Sequence, residues 1–116
     1  MVTLANETLC MTHNDKFDLI ISTLENGGTI LYPTDTIWGI GCDAENAAAV
    51  EKIYELKQRD RSKPFVLLVS SVEMLKKYVR HVHPRIETLL SYHTKPLTMI
   101  YDEAMNLPEI CTGPGG

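Results

Sequence analysis

Two short stretches hold residue types and spacings that can do chemistry. The first is the middle of "GGTILYPTDTIWGIGCDA", residues 27–44, where an apolar run gives way to Pro33, Thr34, Asp35 and Thr36. Proline has no backbone N–H for a sheet ladder, so "TILY" reads as a short strand that delivers these polar residues at its carboxyl end. Ligands of open α/β sheets commonly sit there. Thr34 and Thr36 are two apart, so in extended backbone both hydroxyls project to one side. Gly39 and Gly41 alternate likewise and remove side chains where a ligand or another backbone approaches closely. The same letters also fit a proline-ended strand, an Asp/Thr turn and a glycine-softened second strand, with Trp38 in the core.

The second stretch is "LKQRDRSKP", residues 56–64, with Lys57, Arg59, Arg61 and Lys63 at every second position. In an extended loop these four cations share a side and can converge on one polyanion, for which a triphosphate is a suitable target. As a plain solvated turn, they would only complement the negative end of the preceding helix, worth about 0.3–1 kcal/mol. His81 and His83 form an HxH without a third ligand at a recognisable spacing. His13 and His93 stand alone, as surface or satisfied core positions. No GxSxG, Walker A, GxGxxG or HExxH sequence is present, so serine-hydrolase, P-loop and zincin chemistries have nothing to rest on.

The elements that position these stretches follow from local patterns. "NDKFDLIISTLEN" spaces Phe17, Ile20, Ile21 and Leu24 as one helical face, with Asn14 or Asp15 as N-cap and Gly27-Gly28 as the stop. "IWGIG" continues as a second strand after the bend. Asp43 is placed to cap a helix over "AENAAAVEKIYELK", whose Val50, Ile53 and Tyr54 share a face. "PFVLLV" reads as a strand buried on both faces. "SVEMLKKYV" and "PRIETLLSYH" read as helices, the latter with Pro84 in its first turn, and "PLTMIY" as a last strand. Helix, strand, helix, strand, helices, strand is an α/β order.

With 116 residues and 44% hydrophobic content, the chain has one domain's worth of core. A formal net charge of −4 gives no basis for strong nonspecific attraction to nucleic acid. The three cysteines, Cys10, Cys42 and Cys111, are widely separated and read as free thiols of a reducing cytosol. The N-terminus lacks a basic segment followed by an apolar one, and no apolar run approaches the ~20 residues of a membrane span. The expected location is cytoplasmic, without a membrane partner. The closing "ICTGPGG" reads as a connector and suggests an incomplete molecule.

Taken together, "GGTILYPTDTIWGIGCDA", "IYELKQRDRSKPFVLLV" and "KPLTMIY" resemble the YrdC-like family, the threonylcarbamoyl-AMP synthases, across residues 17–101. The YPTDT segment, Lys57-x-Arg59 and Lys63-Pro64 occur in the family's order, and "LKQRDRSKPF" favours the synthase branch over the YciO-like one. The resemblance implies an α/β fold, a twisted mixed sheet flanked by helices around a large cavity. It also implies a nucleotidyltransferase that makes threonylcarbamoyl-adenylate and pyrophosphate from L-threonine, bicarbonate or CO2 and ATP with Mg2+. The product feeds N6-threonylcarbamoyladenosine formation in tRNA, an indirect link to the tRNA-modification machinery. On this resemblance Tyr32, Thr34 and Thr36 line the threonine site, Lys57, Arg59 and Lys63 hold ATP phosphates, and Thr98 lies near the cavity. Lys57 and Arg59 would act by positioning, with no covalent intermediate.

Family members continue with an Arg-x-Pro strand and a Ser-x-Asn segment that complete the nucleotide pocket, and neither occurs here. Residues 1–116 are therefore expected to form a single, incomplete YrdC-like domain lacking its C-terminal strands. Such a domain would self-associate through an exposed sheet edge and be weak or inactive alone. The alternative is a double-stranded RNA- or tRNA-binding module of the same fold without catalysis, against which the bulk charge stands.

Overall fold

The computed structural model describes residues 13–34, 36–92, 94 and 97–112. By its internal contacts the chain divides into two compact units, Met1–Asp60 and Arg61–Gly116.

The first unit contains α1 (His13–Glu25), β1 (Ile30–Tyr32), β2 (Gly39–Gly41) and α2 (Ala47–Lys57). The double glycine ends α1 as expected. Gly27 adopts φ 71°, its N–H donates to the Leu24 carbonyl at 3.0 Å, and the Gly28 N–H donates to Thr23 at 2.8 Å. This is a Schellman closure, which needs one left-handed residue that glycine supplies without a Cβ penalty. Lys52 of α2 reaches the same corner, its Nζ donating to the Gly27 carbonyl at 3.0 Å, so a charge-assisted bond ties α2 to the end of α1.

The chain then runs through β1, which contacts α1, and returns through β2. The ladder is antiparallel, with Ile30 opposite Gly41, Leu31 opposite Ile40 and Tyr32 opposite Gly39. Pro33 follows β1 immediately, as its missing N–H requires.

The cap of α2 is Asn46 and not Asp43. Asn46 Oδ1 accepts from the Ala49 N–H at 3.1 Å, whereas Asp43 Oδ1 accepts from the Glu45 N–H at 2.9 Å. Engaged in its own local turn, Asp43 leaves the helix to start three residues later than its letters suggest. Ala49, Val50, Ile53 and Tyr54 are the buried face of α2, spaced as one helical stripe, and Tyr54 is 1% exposed.

The second unit contains α3 (Val72–Tyr78), α4 (Pro84–Tyr92) and a 3-10 turn at Glu109–Cys111. Ser71 caps α3, accepting from the Met74 N–H at 3.0 Å. His83 caps α4: its Nδ1 accepts from the Arg85 N–H at 3.1 Å, with Pro84 at the first helical position. Lys76 of α3 pairs with Glu87 of α4 at 2.5 Å. Where α3 ends, the chain bridges antiparallel to residues 103–105, through Val79 opposite Ala104, the Met105 N–H on the Tyr78 carbonyl at 2.9 Å, and Arg80 against Glu103. Leu75, Val79 and Cys111 are buried.

Two expected strands do not form ladders. Residues 65–69 and 97–101 join no strand among the described residues, and Val66, Leu68 and Ile100 are 68%, 72% and 92% exposed. A strand buried on both faces needs partners on both edges and layers above and below, and residues 66–69 have none of these among the described residues. The α/β character is present, but the described sheet is the two-stranded antiparallel β1–β2 rather than a larger mixed one. Trp38, read as core, is more than half exposed. No described helix is long and apolar enough to cross a membrane.

Candidate functional site

The tip of the β1–β2 hairpin carries the hydroxylated stretch. Its base is set by Tyr32, whose ring lies over β2. A Cβ built on Gly39 would come within 2.7 Å of Tyr32 Cε2 and Cζ, and one on Gly41 within 3.0 Å of Cε1. The two alternating glycines are therefore the seat of an aromatic ring across the ladder, the pairing expected where an aromatic covers a glycine. The sequence reading left their neighbour open between a ligand and another backbone; the structure puts a side chain there. An aromatic directly before Pro33, seven residues ahead of the first glycine of a G-x-G, was the signal that could have found it.

Beyond Tyr32 the chain turns at once, and Thr34 organises the turn. Its hydroxyl donates to the Ile37 carbonyl and accepts from the Thr36 and Ile37 N–H groups at 3.2 and 3.1 Å. The Thr36 hydroxyl lies 3.4 Å from that of Thr34. Both threonines are exposed, as are Ile37 and Trp38 beside them. Asp35 lies outside the described residues.

The cationic stretch is not the regular comb its alternation suggests. Lys57 is the last helical residue of α2, Gln58 is left-handed at φ 47° and ψ 41°, and Arg61 and Ser62 lie in a turn. The Gln58 N–H donates to Glu55 at 3.1 Å and the Arg59 N–H to Tyr54 at 3.0 Å, a second Schellman closure. Alternate residues share a side only in extended backbone, and the helix end and the left-handed step break that rule between Lys57 and Arg59. Lys57 is exposed and Arg59 half-buried in the first unit, together with Tyr32, Thr34 and Thr36. Lys63 and Thr98 are exposed in the second.

An open groove of about 420 Å³ is lined by Thr29, Lys52, Glu55 and Leu56. None of the residues selected from the sequence lines it. Sequence reasoning also missed the Lys52 bond to Gly27, since a lysine in mid-helix carries no local mark of the carbonyl it meets 25 residues away.

These elements form an α/β fold of known type. A solved structure of a doubly substituted P. abyssi Sua5 matches it with a TM-score of 0.77 and 25% identity, covering 88% of this chain and 32% of that one. The sequence carries the assignment further. The family profile Sua5_yciO_yrdC, described as "Telomere recombination", matches residues 22–116, and the chain belongs to that family. Among its relatives is a threonylcarbamoyl-AMP synthase of Moraxella catarrhalis, 32% identical over 111 residues, 85% of this chain and 53% of that protein. One of Xanthomonas euvesicatoria is 35% identical over 106 residues, 89% of this chain and 57% of that protein. Another, of Saccharophagus degradans, is 42% identical over 69 residues, 60% of this chain and 36% of that protein. The chain thus spans about half the length of the first two relatives.

Proposed function

We propose that this chain carries the threonine site and part of the ATP-phosphate clamp of a threonylcarbamoyl-AMP synthase. The observation that carries the reading is the match to relatives of that name across 85–89% of the chain. Because the family match runs from residue 22 to 116, across the division at Asp60, both units are read as parts of one family domain.

In this reading the hairpin tip, with Tyr32, Thr34 and Thr36, receives L-threonine, and Lys57 and Arg59 of the same unit meet the triphosphate; for Lys63 and Thr98 of the second unit the resemblance implies a phosphate contact and a place near the family's cavity. The neutral threonine amine adds to CO2 and releases a proton to give a carbamate; from bicarbonate the same carbamate forms with loss of water and no net proton. A carbamate oxygen then attacks the α-phosphorus of ATP in line, and the bond to the β-phosphate oxygen breaks to release pyrophosphate. Neither step needs a covalent enzyme intermediate. Holding the reactants in line and neutralising charge as pyrophosphate leaves is the work fixed cations do.

No group of three His, Cys, Asp or Glu side chains stands ready for a metal ion among the described residues. Magnesium binds with few protein ligands and several phosphate and water oxygens, so it would arrive with the nucleotide, neutralising phosphate charge there. The protein's own steps are binding and orientation.

The test is calorimetry of this chain with ATP and L-threonine, added separately and together. Heats that saturate for each, with tighter binding of one in the presence of the other, are expected. Absence of binding for both would overturn the reading.

A further inference from the structure

Two segments of the second unit have the composition of strands and no strand partner. Residues 66–69 and 97–101 lie outside every described helix, turn and ladder, and their backbone N–H and C=O groups have no backbone partner among the described residues. Val66 and Leu68 are 68% and 72% exposed, whereas Leu67 and Val69 are 36% and 40% exposed. Exposure that alternates residue by residue is that of an extended segment with one side turned to its own unit and the other side open. In the second segment Ile100 is 92% exposed. Native sheets guard a permanently free edge with charged side chains, a proline or a bulge. Residues 66–69 and 97–101 contain neither a charged residue nor a proline, so both read as edges meant to be covered.

We propose that residues 66–69 and 97–101 are docking edges for a polypeptide that carries the half of the family domain this chain does not span. Their unpaired backbone takes an added strand, and their open apolar side chains take an apolar layer laid over them. The family match runs through both segments to residue 116, and the chain spans 53% and 57% of its Moraxella and Xanthomonas relatives. Each relative therefore has further chain with which to cover such edges. A second copy of this chain is the poorer occupant, because it brings the same half of the domain with the same uncovered segments. Neither ATP nor L-threonine has a part in the docking.

The experiment adds to this chain, in turn, the part of the Moraxella and of the Xanthomonas synthase that follows its match to this chain, each pair being diluted together from urea. Analytical ultracentrifugation reads the complex, and NMR reads hydrogen exchange at the amides of residues 66–69 and 97–101. In the chain alone these amides should exchange fast at every chain concentration. With a relative's fragment a one-to-one complex should form, and exchange should slow many-fold at both segments. Leu68→Pro, and Val66→Asp combined with Leu68→Asp, alter positions that join no described ladder. They should leave exchange in the α3 and α4 helices of the free chain unchanged and abolish the slowing at residues 66–69.

No complex with the fragment of either relative would overturn the docking edges. So would a complex in which the amides of both segments still exchange fast, since the contact would then lie elsewhere, or one formed undiminished by Leu68→Pro. Slow exchange in the dilute chain alone would show the segments already paired within their own unit. Slowing that grows with chain concentration would make a second copy the occupant, which also overturns the assignment. No substrate is present, so each of these failures is separate from a failure to bind ATP or L-threonine.

Discussion

Tyr32 and Gly39 face each other across the β1–β2 ladder, and the tyrosine ring occupies the space that a side chain at position 39 would need. The hairpin that carries the candidate threonine site is therefore held at its base by an aromatic–glycine pair, immediately before the turn that Thr34 closes.

Gly39→Ala should destabilise the first unit by about 1–3 kcal/mol, since a methyl 2.7 Å from two ring carbons forces Tyr32 off its seat. Gly41→Ala meets the ring at 3.0 Å and should cost less. Urea denaturation followed by near-ultraviolet tyrosine signals measures both. Equal and negligible shifts in midpoint would show that the ring does not lie there.

Gln58 holds a left-handed conformation with a full side chain at the end of α2. Gln58→Gly relieves that Cβ conflict and should raise stability by about 1 kcal/mol. Thermal unfolding detects the rise, and a fall in melting temperature would contradict the φ assigned to this residue.

Asn46→Ala should cost about 1 kcal/mol by removing the side-chain acceptor of the Ala49 N–H at the start of α2, whereas Asn46→Asp keeps an acceptor there and should cost less. Asp43→Ala, one turn earlier, should leave the α2 amides in place. Amide exchange across residues 47–50 separates the two outcomes.

The Lys76 ammonium is held above its ordinary value of 10.5, chiefly by its hydrogen bond to Glu87 and then by the negative charges of Glu87 and Glu73, with desolvation opposing. A lysine whose folded value is raised contributes stability that is complete below the unfolded value and is lost as pH rises through the folded one. The contribution should therefore fade only above pH 10.5. Most of it should be lost in Glu87→Gln, leaving the smaller share that comes from Glu73, and it should shrink in high salt, because the pair is exposed. Denaturation midpoints at pH 9 and 11, with and without the substitution, check this.

Lys57→Ala should weaken ATP binding about tenfold, the scale of one charge-assisted contact, and leave L-threonine binding by the free chain unchanged. Calorimetry with each ligand alone reads both effects. An equal loss for both ligands would indicate a damaged fold rather than a missing phosphate contact.

Much of the local architecture was readable from single residues. Gly27 and Gly28 announced the end of α1, Pro33 the end of β1, Pro84 the start of α4, and the spacing of Val50, Ile53 and Tyr54 the buried face of α2. The cap of α2 was misread because Asp43 and Asn46 are both good capping residues three apart, and only the turn made by the Asp43 carboxylate decides between them. In the candidate site, the residues could be named from their order along the chain. Their roles could not, because the turn bonds that Thr34 makes to residues 36 and 37 are not announced by its side chain alone.

The sequence by itself determined the family, the helices, the strand that stops at Pro33 and the hydroxyl-bearing stretch behind it. Those features depend on φ preferences, missing N–H groups and side chains a few residues apart, all of which are local. Only the tertiary structure decided that Gly39 and Gly41 seat a tyrosine, that Lys52 closes the corner at Gly27, that Trp38 faces outward and that residues 66–69 join no described ladder. Strand pairing and burial are settled by groups distant along the chain, so an apolar run becomes a sheet strand only where a partner strand stands beside it.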